Sequence, residues 1–153
     1  MKTVAQIIKS KPDQAVHSIT PQASMLEAAT LMARHNVGAL LVIEGERIAG
    51  IVSERDIARR GVLASDAPAQ IPVLDIMSSP VQFVQPNQTT DDCMALMTEK
   101  RLRHLPVLDN GRLVGMLSIG DLVKDVISEQ EFIIHQLEHY ISGDRVEAAV
   151  WRS

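Results

Sequence analysis

Gly38-Ala39-Leu40-Leu41-Val42-Ile43, Arg47-Ile48-Ala49-Gly50-Ile51-Val52-Ser53 and Glu54-Arg55-Asp56-Ile57 return later in the chain in altered form. Their counterparts are Arg103-His104-Leu105-Pro106-Val107-Leu108, Arg112-Leu113-Val114-Gly115-Met116-Leu117-Ser118 and Ile119-Gly120-Asp121-Leu122. The offset is constant at 65 positions (118 − 53) and needs no gap. Extended backwards, it places Val16 on Val81, Pro21 on Pro86, Leu31 on Leu96 and Met32 on Met97. Positions that differ swap like for like, as with Ile19 and Val84 or Ile57 and Leu122. A gapless series of this extent is the mark of an internal duplication, and the duplication decides the architecture before any single motif does.

Each copy reads as a βαββα unit. Residues 15–19 and 80–84 alternate and end at a Thr-Pro or Gln-Pro step, which predicts short strands. Ser24 and Thr89 follow as N-caps, with Glu27 and Asp92 three residues on, as in a capping box. The helices run to about His35 and Lys100, with Leu31, Met32, Leu96 and Met97 on their apolar stripes. Strands are predicted at 38–44 and 47–53, and again at 103–109 and 112–118, the second hairpin turning on Asn110-Gly111. A last helix starts at Glu54 in one copy and Ile119 in the other.

The chain then divides into a first repeat with its N-terminal segment (1–63), a linker (64–74), a second repeat (75–128), and a C-terminal helix and tail (129–153). Val126, Ile133, Ile134, Leu137 and Ile141 fall near helical spacing in the last part, and the final dozen residues read as a loose polar tail. One unit alone leaves an apolar sheet face uncovered and is marginal in size. The expected fold is therefore α+β, with two βαββα repeats packed as one pseudo-two-fold pair and a C-terminal helix.

Composition excludes several function classes. Hydrophobic residues are 46% of the 153 and aromatics 3%, so the core must be aliphatic. A net charge of −4 speaks against a nucleic-acid partner, because phosphate contacts need a basic face. Cys93 is the single cysteine, so an intrachain disulfide and a cysteine-based zinc site are both excluded. It falls on Ala28 of the first copy, where a small buried side chain is expected. The N-terminus lacks a signal-peptide stretch, and the longest apolar run, Ala39 to Ile43, is too short to span a bilayer. A cytoplasmic protein with no membrane partner is expected.

The motif richest in chemistry is Ser-x-x-Asp at the strand-to-helix junction, present as Ser53-Glu54-Arg55-Asp56 and Ser118-Ile119-Gly120-Asp121. Backbone N–H groups at a helix start attract phosphate. A carboxylate in the first turn can accept from both hydroxyls of a ribose, and the serine hydroxyl can reach a phosphate oxygen. The same string is also a plain capping box. Duplication copies a cap as readily as a site, so both readings stay open on the motif alone.

Taken in order, the duplicated pieces carry a family resemblance. They are Ile76-Met77-Ser78, Pro86, Arg103-His104-Leu105-Pro106-Val107, the Arg112 to Ser118 strand and Gly120-Asp121-Leu122, with Val37 to Val42, Ile48 to Ser53 and Glu54-Arg55-Asp56-Ile57 in the first copy. Over roughly residues 4–128 the chain resembles a tandem pair of cystathionine-β-synthase (CBS) domains, a Bateman module of nucleotide-binding type.

The resemblance implies two related clefts between the repeats that take adenine nucleosides and nucleotides, each mixing residues of both copies. By it, Asp56 and Asp121 hold ribose, with Ser53 and Ser118 near ribose or phosphate and Gly120 in the second motif. Val37, Gly38 and Ala39, and their counterparts Arg103, His104 and Leu105, line the adenine or phosphate ends. Lys11 and the segment from Ser78 to Val81 close the clefts. Arg103 and Arg55 are candidate phosphate ligands, and His104 adds a pH-dependent donor. The clefts are unequal, since Arg103 and His104 stand where the first copy has Gly38 and Ala39. Gln85 replaces the Thr20-type residue, and the first copy lacks Ile-Met-Ser before its strand, so its N-terminal wall departs from the pattern. The implied function is non-catalytic: a regulatory, signal-transducing module that senses AMP, with ATP, ADP or NAD(H) as further ligands. It would work as a homodimer biasing an unidentified partner, with no catalytic cofactor and no metal.

Two other readings remain. One is a ligand-free structural adaptor or dimerisation module. The other is a small metal-dependent hydrolase, because His135-Gln136-Leu137-Glu138-His139 fits the His-x-x-Glu-His string and sets two histidines on one helical face. That string lies outside the duplicated core and reads more simply as a solvent-facing helical stripe.

Overall fold

The computed structural model describes residues 2–64 and 66–142; the predicted loose tail lies outside them. The two hairpins form as their alternation predicts. β2 (Ala39–Glu44) pairs antiparallel with β3 (Arg47–Ser53), and β4 (His104–Asp109) pairs the same way with β5 (Arg112–Ser118). Even the irregularity is duplicated. The register slips between Val42 and Ile43, and again between Val107 and Leu108, 65 residues on (107 − 42). A bulge at matched positions bends both ribbons alike. Asn110 and Gly111 hold φ of 51° and 80°, the pair of positive values that a two-residue type I′ turn requires.

The first strands are shorter than predicted. β1 is only Ser18–Ile19, parallel to Leu41 and Val42 of β2. In the second copy the predicted strand at 80–84 reduces to Val84, bridged in parallel to Val107. That sheet has two strands where the first has three. α2 (Met25–His35) and α5 (Thr90–Lys100) follow, capped by Ser24 and Thr89; the reciprocal box is complete at Thr89 with Asp92. α3 (Glu54–Asp56) passes into a π-helical turn over Ile57–Gly61, whereas its counterpart α6 (Ile119–Ser142) runs unbroken for 24 residues.

Two short helices tie the copies together. α1 (Val4–Ser10) precedes the first repeat, and α4 (Val73–Ile76) precedes the second. Each packs on the other copy. Val4 and Ile7 join Val84, Cys93, Met97, Leu105, Val107, Leu117 and Leu122 in one core. Ile71, Val73 and Ile76 join Ile19, Met25, Ala28, Met32, Leu40, Val42 and Val52 in the other. The segment read as a linker therefore contributes Ile71 and Val73 to a core. Backbone bridges fix the crossing at both ends, Thr3 to Thr89 and Ser24 to Pro72. The fit is close: a Cβ on Gly50 would lie 2.8 Å from the Ser78 carbonyl oxygen, and one on Gly115 would lie 2.7 Å from Ile8 Cδ1.

These leaders repeat at an offset of 69 (73 − 4), four more than the rest of the unit. The first copy thus carries four extra residues between its leader and its first strand. Cys93 is fully buried in the second core, and that burial raises its thiol pKa to about 11, which fits packing rather than reactivity. Among the described residues no helix is long and apolar enough to cross a membrane.

Candidate functional site: two clefts between the repeats

The two Ser-x-x-Asp motifs form the same local structure. Ser53 Oγ accepts from the Asp56 N–H at 3.2 Å, and Asp56 Oδ2 accepts from the Ser53 N–H at 2.9 Å. Ser118 Oγ accepts from the Asp121 N–H at 3.1 Å, and Asp121 Oδ2 accepts from the Ser118 N–H at 2.8 Å. The capping reading is thus correct as geometry. The same cap holds each carboxylate at the wall of a cleft.

The Asp56 cleft has a volume of about 580 Å³. Its walls combine Ser53, Arg55, Asp56, Arg59 and Arg60 of the first copy with Ser78, Arg101, Arg103, His104 and Gly120 of the second. The Asp121 cleft, about 380 Å³, combines Lys11, Asp13, His17, His35, Val37, Gly38 and Ala39 with His104, Met116, Ser118 and Asp121. Each cleft mixes both copies, as the resemblance implies. Gly38, His104 and Ser118 line both, so the clefts meet there.

Their closing residues differ. At Asp56, the Ser78 hydroxyl donates to Oδ1 at 3.0 Å, while the backbone of Ser78 pairs with Ile51. At Asp121, Lys11, just past the end of α1, takes the equivalent place. Its ammonium lies 3.0 Å from Asp121 Oδ2 and donates to the Met116 carbonyl at 2.7 Å. One cleft is closed by a neutral hydroxyl, the other by a cation already paired to its carboxylate. Beyond Lys11, His17 and His35 stack with centroids 3.9 Å apart, and His17 Nε2 approaches Asp13 at 3.4 Å. The Ala15 N–H, and then His17, hold the exposed Asp13 carboxyl below its ordinary pKa.

Of the predicted site residues, Lys11, Val37, Gly38, Ala39, Ser53, Arg55, Asp56, Ser78, Arg103, His104, Ser118, Gly120 and Asp121 line one or both clefts. Leu105 does not. It is fully buried in the second core, because a strand's period of two turns it away from the face that carries His104. Val81 lies elsewhere, in a groove with Arg47, Pro80, Phe83 and Pro106, since the chain leaves the cleft after Ser78. Sequence reading missed His17, His35, Arg59, Arg60, Lys100 and Arg101, which line the clefts. The signal for Lys100 and Arg101 was present: they align with His35 and Asn36 at the repeat offset, a neutral-to-basic divergence like that of Gly38 and Arg103. His135 and His139 sit on the exposed surface of α6, and among the described residues no group of three or more potential ligands is placed to hold a metal.

His104, at the junction of the clefts, has its pKa lowered from the ordinary 6.5 mainly by burial; Asp121 opposes this, and Lys11 and Arg103 add to it. Around and below that ordinary value the unfolded chain binds more of the proton than the folded chain does. Stability then rises with pH through this window and falls on acidification. His104→Asn is expected to flatten the decline in denaturation midpoint between about pH 7 and pH 6 relative to the parent chain. An unchanged slope would show that His104 does not carry it.

Comparison with known proteins agrees with this geometry. A model of the CBS domain family matches twice, over residues 4–62 and 73–128, each match including its crossed leader helix. The CBS domain-containing protein YhcV of Bacillus subtilis is 35% identical over 123 residues, covering 80% of this chain and 87% of that protein. A solved protein with CBS domains from Burkholderia ambifaria is 53% identical, covering 84% of this chain and 96% of its own, with a TM-score of 0.82. CBSX2, solved in complex with AMP, is 26% identical, covering 84% and 98% of the two chains, with a TM-score of 0.69. With the duplication, the crossed leaders and the paired clefts in place, the chain belongs to the CBS domain family, as a tandem pair of its domains.

Proposed function

We propose that this chain is a non-catalytic, cytoplasmic regulatory module that binds adenine nucleotides in its two inter-repeat clefts. The observation that carries the reading is that each cleft presents one Ser-x-x-Asp carboxylate, held by its capping box, facing at least one cation of the other repeat: Lys11 at Asp121, and Lys100, Arg101 and Arg103 at Asp56. A ribose diol suits the carboxylate and a phosphate suits the cations. The AMP bound by CBSX2 supports AMP as a ligand class here; ATP, ADP and NAD(H) share the adenosine that the aspartates would grip. Ligand binding regulates only through different affinity for two states. The junction at Gly38, His104 and Ser118 is where occupancy of one cleft would alter the other.

A homodimer is part of the proposal. Val123, Ile127, Ile133, Ile134, Leu137 and Tyr140 are all exposed on α6, an apolar surface of the kind that marks an interface. A second copy covering α6 with the same face would bury it symmetrically. Mass spectrometry of small molecules released from the purified full chain is expected to find an adenylate at a substantial fraction of the protein, and sedimentation is expected to report a dimer. A protein that emerges with no adenylate and takes none up when offered would favour the ligand-free adaptor instead.

A further inference from the structure

The two clefts differ most in charge. Six cations, Arg55, Arg59, Arg60, Lys100, Arg101 and Arg103, line the Asp56 cleft, against the carboxylates of Glu54 and Asp56. The Asp121 cleft has Lys11 alone against Asp13 and Asp121, and Lys11 is already paired to Asp121. Arg60 is partly committed, donating to the Met77 carbonyl at 2.7 Å. Among the described residues the other five cations have no carboxylate partner. Converging like charges repel, and a cleft that gathers them unpaired is built to receive an anion of comparable charge.

The backbone gives a second, independent sign. Arg101 ends α5 in the left-handed conformation, φ 55°, and its counterpart Asn36 ends α2 in the same way, φ 53°. Asparagine is favoured in that region and arginine is not. The second copy therefore keeps a cation at a position whose backbone disfavours it, on the wall of the cleft where the cations gather. Strain of this kind marks functional positions. Lys100, Arg101 and Arg103 stand where the first copy has His35, Asn36 and Gly38, and Arg55 and Arg60 stand where the second copy has Gly120 and Asp125, so the difference in charge arises in both segments that face the Asp56 cleft.

We propose that the clefts sort adenylates by phosphate number: the Asp56 cleft takes a nucleoside di- or triphosphate, and the Asp121 cleft takes a nucleoside or monophosphate. This rests on the adenylate reading above. The cations of the Asp56 cleft neutralise the polyphosphate directly, so its binding does not depend on a divalent metal. In the Asp121 cleft a second or third phosphate would meet no unpaired lysine or arginine.

The test is calorimetry on the full chain in EDTA with adenosine, AMP, ADP, ATP and inorganic tripolyphosphate. The parent protein is compared with Arg101→Asn/Arg103→Ala, whose first change installs the residue of the first copy and relieves the left-handed arginine. Asp121→Ala isolates the Asp56 cleft. In that background ATP is expected to bind about tenfold or more tighter than AMP, with a steep loss in salt. The double variant is expected to abolish this preference while keeping adenosine affinity. Tripolyphosphate is expected to displace ATP from the Asp56 cleft. Equal affinity for AMP and ATP, or a preference that survives the double variant, overturns the proposal. Tripolyphosphate binding that the double variant abolishes, with no adenylate binding, overturns the adenylate reading and leaves a polyanion site. Binding of neither overturns both. Should the double variant fail to fold, tripolyphosphate that does not compete with ATP on the parent protein is itself enough to overturn the proposal.

Discussion

Asp56→Ala is expected to weaken adenylate binding at its own cleft by about 10- to 100-fold, and Asp121→Ala to do the same at the other, each leaving the opposite cleft near its parent affinity. The size follows from losing charge-assisted hydrogen bonds to a ribose diol, roughly 1.5–3 kcal/mol. Both aspartates are also the third-position partners of capping boxes, accepting from the N–H of Ser53 or Ser118; losing one such net hydrogen bond costs about 1 kcal/mol of stability, well short of unfolding a domain. Replacement by asparagine separates the two roles. Asparagine still caps, so Asp56→Asn is expected to recover the stability without recovering the affinity. Titration calorimetry paired with chemical denaturation reads both quantities on the same samples. An asparagine variant that binds as well as the parent chain would show that the carboxylate serves the helix alone.

Leu105→Ala is expected to destabilise the chain by about 2–5 kcal/mol, the usual cost of emptying a fully buried leucine site. Affinity per folded molecule is expected to stay unchanged, because Leu105 packs in the second core and lines neither cleft. The loss should appear in both repeats at once. α1 from the first copy closes the second core through Val4 and Ile7, and α4 closes the first core through Val73 and Ile76. Neither core is complete without the other copy, so unfolding followed by different probes should give coincident transitions. Two separate transitions would contradict the crossed arrangement.

What could be read from the residues follows the range over which each feature is decided. The hairpins were legible because alternation and the Asn110-Gly111 turn act within a few residues. The Ser-x-x-Asp carboxylates were legible because a cap is local. The crossed helices were not, since α1 and α4 are too short to show a period and repeat at their own offset. The Lys11 to Asp121 pair depends on a partner 110 positions away (121 − 11), which no local pattern announces. Arg59 and Arg101 enter one cleft only because the two copies face each other. Leu105 is a different case: strand alternation with His104 already indicated that its side chain faces the core.

The central claim is that the inter-repeat clefts bind adenine nucleotides, and the most direct measurement is an equilibrium titration of the full chain with AMP by calorimetry. The account predicts saturable binding that loses one high-affinity site in Asp56→Ala or Asp121→Ala and is weakened at both clefts, by about 10- to 100-fold, when both are replaced. No binding of AMP, ATP or NADH at about millimolar concentration, a free energy near −4 kcal/mol, would contradict it.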